Sequence, residues 1–214
     1  MAAPQARTDA TSLPEAGNRE VRALTDGLEL RSAQSDGETR TATGYAVLYN
    51  QEANIYDLWV EQFAPGAFDK SLQERDVIAI HSHDSARIVG RKNAGTLTLR
   101  SDTKGLAFEN PLPDTSDGRD LSVQIDRGDI AGMSFGFRAT KQEWDDTVDP
   151  PKRTVIEAEL YEITYTALPA YHQTEVGLRS LEGARQERRQ HNKTAALGRI
   201  HAKRMRLNQA ERGI

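Results

Sequence analysis

The 214-residue sequence predicts a mainly β domain with a few helices, of the α+β class. Three observations carry this. The pairs Asp26-Gly27 and Asp36-Gly37 separate short alternating segments, as hairpin turns do. Period-two alternation of apolar and polar residues recurs along the chain, whereas helical spacing is confined to two short stretches.

In order, residues 1–18 are rich in Ala, Pro, Thr and Ser without periodicity and read as disordered. Strands are expected from Val21, at Leu28–Leu30, and over Thr41–Tyr49. Tyr56–Phe63 reads as another strand. After Pro65-Gly66, Phe68 and Leu72 stand four apart, as on a short helix. Val77–His83 alternates, with Val77, Ala79, His81 and His83 on one face. A turn over Asp84–Arg87 is expected next. Thr96–Arg100 and Leu106–Glu109 flank a loop and read as a hairpin. A helix capped by Asp117 or Asp120 runs through Leu121 and Ile125 and stops at Gly128. Gly132–Phe137 is a strand with Met133, Phe135 and Phe137 on its core side. Its other face carries only Gly132, Ser134 and Gly136, a bare floor with one hydroxyl that another backbone can approach closely. After a polar loop over Trp144–Pro151, Arg153–Thr166 is a long strand on which Glu162 shares a face with Ala158 and Leu160. Leu168–Tyr171 closes the domain. The expected organisation is a disordered segment over 1–18, a domain over 19–180, and a basic, partly helical or disordered tail over 181–214.

Composition excludes several classes. There is no cysteine, so disulfides, thiolate metal sites and cysteine nucleophiles are ruled out. No apolar stretch near Met1 suits a secretion signal, and no run is long enough to span a membrane. The formal charge of −4 hides an asymmetry. From Gly183 onward nine Lys or Arg face two acids, which leaves an acidic body and a basic tail.

Gly132-x-Ser134-x-Gly136 matches the nucleophile elbow of α/β-hydrolases in letters. That elbow needs a strand-to-helix turn, and here alternation continues past the serine, so the elbow reading fails. His81-Ser82-His83-Asp84 invites a metal reading, but the next ligands of the metallo-β-lactamase pattern are replaced by Ser85 and Ala86. No metal or other cofactor is expected. A carboxylate at Glu162 on an apolar face calls for a partner, and orienting a catalytic histidine is one such role. An ordinary exposed charge is the alternative.

Taken in order, Gly44-Tyr45-Ala46, Phe63–Phe68, His83-Asp84 through Gly90-Arg91, Gly105-Leu106, Gly132–Phe137, Leu160–Thr164 and Leu168–Tyr171 resemble the prohead serine proteases of HK97-type tailed bacteriophages. That family is related in fold to the herpesvirus assembly proteases. The resemblance implies a closed or nearly closed β-barrel, with Ser134 as nucleophile, His83 as general base and Glu162 as third member. His81 is an alternative third member. It also implies that the substrates are the scaffolding segment of the major capsid protein and the protease itself, inside the procapsid in the host cytoplasm. A homo-oligomer is compatible with it. Neither a membrane nor nucleic acid is an expected partner, and the basic tail lacks the interleaved aromatics of specific strand binders. The competing class is a catalytically inactive assembly factor that binds scaffold through that tail. A serine buried without a cleft would favour it. Strongly salt-dependent DNA binding lost with residues 183–214 would mark a third class.

Overall fold

The computed structural model describes residues 19–24, 31–33 and 40–167, together with 182–183, 185–186 and 190. The chain divides into two units, Met1–Thr174 and Glu175–Ile214, and the elements below belong to the first. The expected disorder of 1–18, the strand at Leu28–Leu30, the Leu168–Tyr171 closure and nearly all of the basic tail lie outside the described residues.

Eleven strands and two helices make up the described part, so the mainly β expectation holds. They are β1 (Glu20–Leu24), β2 (Arg31–Ala33), β3 (Thr41–Leu48), β4 (Ala53–Ile55), β5 (Trp59–Phe63), α1 (Asp69–Glu74), β6 (Ile78–His81) and β7 (Asp84–Arg91), followed by β8 (Thr98–Ser101), β9 (Gly105–Pro111), α2 (Ser116–Arg127), β10 (Gly132–Asp145) and β11 (Lys152–Thr166). No described helix is long and apolar enough to cross a membrane.

Among the described residues no sheet closes on itself, which corrects the expected closed barrel. A seven-stranded sheet runs β1-β10-β11-β5-β4, with β6 and β7 added through a second pairing of β11. A four-stranded sheet runs β2-β3-β9-β8. The physical reason is β11. Its fifteen residues are long enough to pair in parallel with two different strands, β5 at Lys152–Val155 and β6 at Glu162–Tyr165, while β10 lines its other side. The sheet therefore forks along β11, and β1 lies at its outer edge.

The core includes Val47, Leu106 and Phe108 from the smaller sheet and Met133, Phe135, Phe137, Ile163 and Tyr165 from the larger. Phe63 stacks on Phe68 at 5.6 Å and meets Phe135 and Phe137 edge-on at 5.4 and 5.1 Å. Such pairs add about 0.5–1.5 kcal/mol each beyond the area they bury. The Asn110 amide ties the sheets. Oriented so that its nitrogen donates to the carbonyls of Val89 (3.2 Å) and Thr96 (2.8 Å), it accepts the Tyr165 hydroxyl at 3.0 Å. Gly90 leaves room for it, because a Cβ there would overlap the amide.

Local differences from the sequence reading each have a cause. Tyr56 and Asp57 take positive φ (52° and 57°) in a turn that splits the expected strand into β4 and β5. The cap of α2 is Thr115, whose hydroxyl accepts from the Gly118 amide, in place of Asp117 or Asp120. Gly128 ends that helix in the left-handed conformation as expected (φ 78°).

Candidate active site

Ser134 lies in β10 between two partners, opposite Thr164 of β11 and Ala23 of β1. Met133, Phe135 and Phe137 point into the core, so Gly132, Ser134 and Gly136 share the other face, as alternation required. That face is not open. Ser134 is fully buried, and its hydroxyl donates to the Arg22 carbonyl at 2.8 Å. The guanidinium of Arg19 covers Gly136, with Nε and Nη2 only 2.6 Å from where an alanine Cβ would stand. The floor that glycine clears is occupied by the chain's own arginine.

Glu162 reaches this face by a route the sequence pattern misjudged. Gly136 pairs with Glu162 but Phe137 pairs with Leu160, so Tyr161 is an extra residue in a β-bulge. The bulge reverses parity. Ala158, Leu160, Ile163 and Tyr165 all belong to the core, and Glu162 and Thr164 turn to the Ser134 side. The expected shared face with Ala158 and Leu160 is therefore wrong: Glu162 stands opposite Gly136.

His83 is held by a tight turn. His81 pairs with Asp84, and Ser82 and His83 form the two-residue connection, both at positive φ (54° and 58°). This geometry normally selects Asn-Gly, and non-glycine residues there are strained. The turn corrects two expectations: the hairpin turns at Ser82-His83 and not over Asp84–Arg87, and His83 does not share a strand face with His81. His83 Nδ1 lies 3.4 Å from Glu162 Oε1, with the imidazole side chain 28% exposed and the carboxylate 5%. Thr164 Oγ1 also donates to that oxygen, at 3.3 Å. Burial opposes ionisation of Glu162, but the His83 contact and the Arg19 charge outweigh it and hold the carboxyl below its usual range. His81 is buried in β6, where burial and then the charge of Arg87 lower its pKa.

Glu162 and His83 thus meet, and Ser134 lies two register positions away on the same side of β10–β11, beside β1.

Sequence reasoning missed Arg19, which forms an ion pair with Glu162 through its Nη2. It also missed a buried cluster beneath β1. Arg22 donates to Glu61 at 2.5 Å and to Glu20 at 2.8 Å, and Arg153 donates to Glu20 at 2.6 Å and to Glu61 at 2.7 Å. All four are at most 3% exposed. The signal that could have found them is Glu20-x-Arg22 beside aromatic-rich strands, but alternating charges read as a solvated face.

Three comparisons relate this chain to known proteins. Residues 26–188 match the family model described as caudovirus prohead serine protease. The prohead protease of Enterobacteria phage HK97 is 31% identical over 155 residues, covering 69% of this chain and 64% of that protein. The chain thus spans somewhat under two thirds of that relative's length. The bacteriophage T4 capsid assembly protease, gp21, superposes with a TM-score of 0.46 at 9% identity, covering 70% of this chain and 99% of the other. By the match over 26–188, this chain belongs to the caudovirus prohead serine protease family.

Proposed function

We propose that this chain is a prohead serine endopeptidase that cleaves the scaffolding segment of the major capsid protein, and itself, within the procapsid. Ser134 is the nucleophile, His83 the general base and Glu162 the group that orients His83. The observation that carries the reading is the His83 Nδ1–Glu162 Oε1 contact, 3.4 Å, two register positions from Ser134 on the face turned by the Tyr161 bulge. With Nδ1–H directed at the carboxylate, Nε2 is the nitrogen left to take a proton.

In the reaction, Ser134 Oγ bonds to the carbonyl carbon of the scissile peptide while its proton passes to His83 Nε2. The C–N bond breaks, the departing amine takes that proton, and an acyl-enzyme remains. Water then repeats the sequence and releases the acid. The ionised Glu162 stabilises the imidazolium at each proton transfer. A fold of the herpesvirus-protease type belongs to this proposal as well.

The burial of Ser134 favours a second reading, an inactive assembly factor on the same fold. One experiment separates the two. Co-expressed with its major capsid protein, the wild-type chain is expected to shorten both proteins. Ser134→Ala is expected to shorten neither while remaining folded. Normal processing by the variant ends the protease assignment to Ser134.

A further inference from the structure

The strand that covers Ser134 is itself informative about what the site binds. β1 is an edge strand, antiparallel to β10, with Ala23 opposite Ser134 and Val21 opposite Gly136. It lies outside the 26–188 segment that matches the family, so the matched part of the chain carries β10 without this partner. An edge strand whose neighbour is a separate segment can be filled by any extended peptide, through the same backbone bonds. The Arg22 carbonyl receives the Ser134 hydroxyl at 2.8 Å, which puts a peptide carbonyl of the resident strand against the candidate nucleophile.

The side chains of β1 are received on both faces. On the core side, Arg22 stands over the rings of Phe137 (5.5 Å) and Trp59 (5.9 Å) and pairs with Glu61, and Glu20 is gripped by both Nη atoms of Arg153 (2.6 and 2.8 Å). Glu61 and Arg153 come from β5 and β11 and pair with each other at 2.7 Å, so they keep a partner if β1 leaves. On the opposite face Arg19 takes Glu162, but its Nε is buried without a hydrogen-bond partner among the described residues. Its fit is incomplete, as suits a replaceable occupant.

We propose that the outer edge of β10 is the substrate-strand groove, that residues 19–24 fill it as an internal occupant, and that Glu61 and Arg153 select a strand with a carboxylate two residues before a guanidinium. The partner is an extended peptide of acid-x-arginine pattern, bound antiparallel to β10 with the arginine carbonyl at Ser134. Entry requires that β1 leave, because both cannot pair with the same edge. Tethering gives β1 a high effective concentration, so a free peptide competes poorly until β1 is weakened. Calling the bound strand a substrate rests on the protease reading; the groove and its code do not.

The test uses the full-length chain with Arg22→Ala and a labelled acetyl-Arg-Glu-Val-Arg-Ala-Leu-amide peptide, followed by fluorescence anisotropy. Saturable binding is expected, weakened about tenfold or more when the peptide's Glu and second Arg are exchanged, since like charges then face each other. Absence of binding by a folded variant, or equal binding of both peptides, overturns the proposal. Should Arg22→Ala not fold, hydrogen exchange on the wild-type chain decides. The amides that join β1 to β10 are expected to exchange together and faster than those joining β10 to β11. Equal protection makes β1 an integral strand and overturns the proposal. Peptide binding alongside capsid-protein processing by Ser134→Ala would defeat the protease reading of Ser134 and leave the groove standing.

Discussion

Glu162 faces His83 at Oε1 and the Arg19 guanidinium at Oε2. Only the first serves the proposed chemistry, since a base needs one fixed orienting partner. Glu162→Gln keeps the shape and removes the charge that stabilises an imidazolium. Processing of the capsid protein is expected to slow by about 10²–10⁴-fold with the fold intact, as judged by circular dichroism and a time course on gels. An unchanged rate removes Glu162 from the mechanism. The motifs around Ser134, His83 and Glu162 are legible in the sequence, and they are what points to these three residues. Arg19 was not, because a residue 143 positions from Glu162 in the sequence meets it only through β1. The Tyr161 bulge was equally invisible: period-two counting assumes an unbroken ladder, and one extra residue inverts every face beyond it.

At the scale of elements, β1 is fixed by charge. Glu20, Arg22, Glu61 and Arg153 satisfy one another in a site closed to water. Each contact is separated by 39 to 133 residues except Glu20–Arg22, which is why the strands that carry them gave no hint of a buried cluster. Arg153→Met leaves two buried carboxylates with one arginine between them. It is expected to cost about 3–5 kcal/mol in urea unfolding, whereas Lys152→Ala, which breaks the more exposed pair to Glu52, is expected to cost about 0–1 kcal/mol. Similar losses from both would mean that the cluster does not anchor β1. The same cluster sets a pH limit. Burial opposes the charge on Glu61, but Arg22 and Arg153 outweigh it and hold the carboxyl below its ordinary value of 4.5. A lowered folded pKa contributes stability that is complete above the ordinary value and is lost as the pH falls through the lowered one. The chain's two tryptophans adjoin the cluster: Trp59 Nε1 donates to Glu61 at 3.4 Å, and Trp144 lies 5.8 Å from the Arg153 guanidinium. Their emission is expected to stay native down to pH 4.5 and to change only below it. A transition centred above 4.5 contradicts the sign of the shift.

For the molecule as a whole, β11 joins the parts. It carries Glu162 and Arg153, pairs with β10 on one side, and meets β5 and β6 on the other. The β content was readable from turn pairs and alternation, and the core side of β10 from Met133, Phe135 and Phe137 alone. The forked sheet was not readable, since parallel pairing of β11 with two strands depends on contacts about 80 to 90 residues apart. The proposed function rests on one claim, that Ser134 is an activated nucleophile. It is tested most directly by treating the full chain with a fluorophosphonate, under conditions in which it processes capsid protein, and locating the adduct by tandem mass spectrometry. An adduct is expected on Ser134, and it is expected to disappear in His83→Ala. An adduct on another residue, or none while processing continues, contradicts that claim.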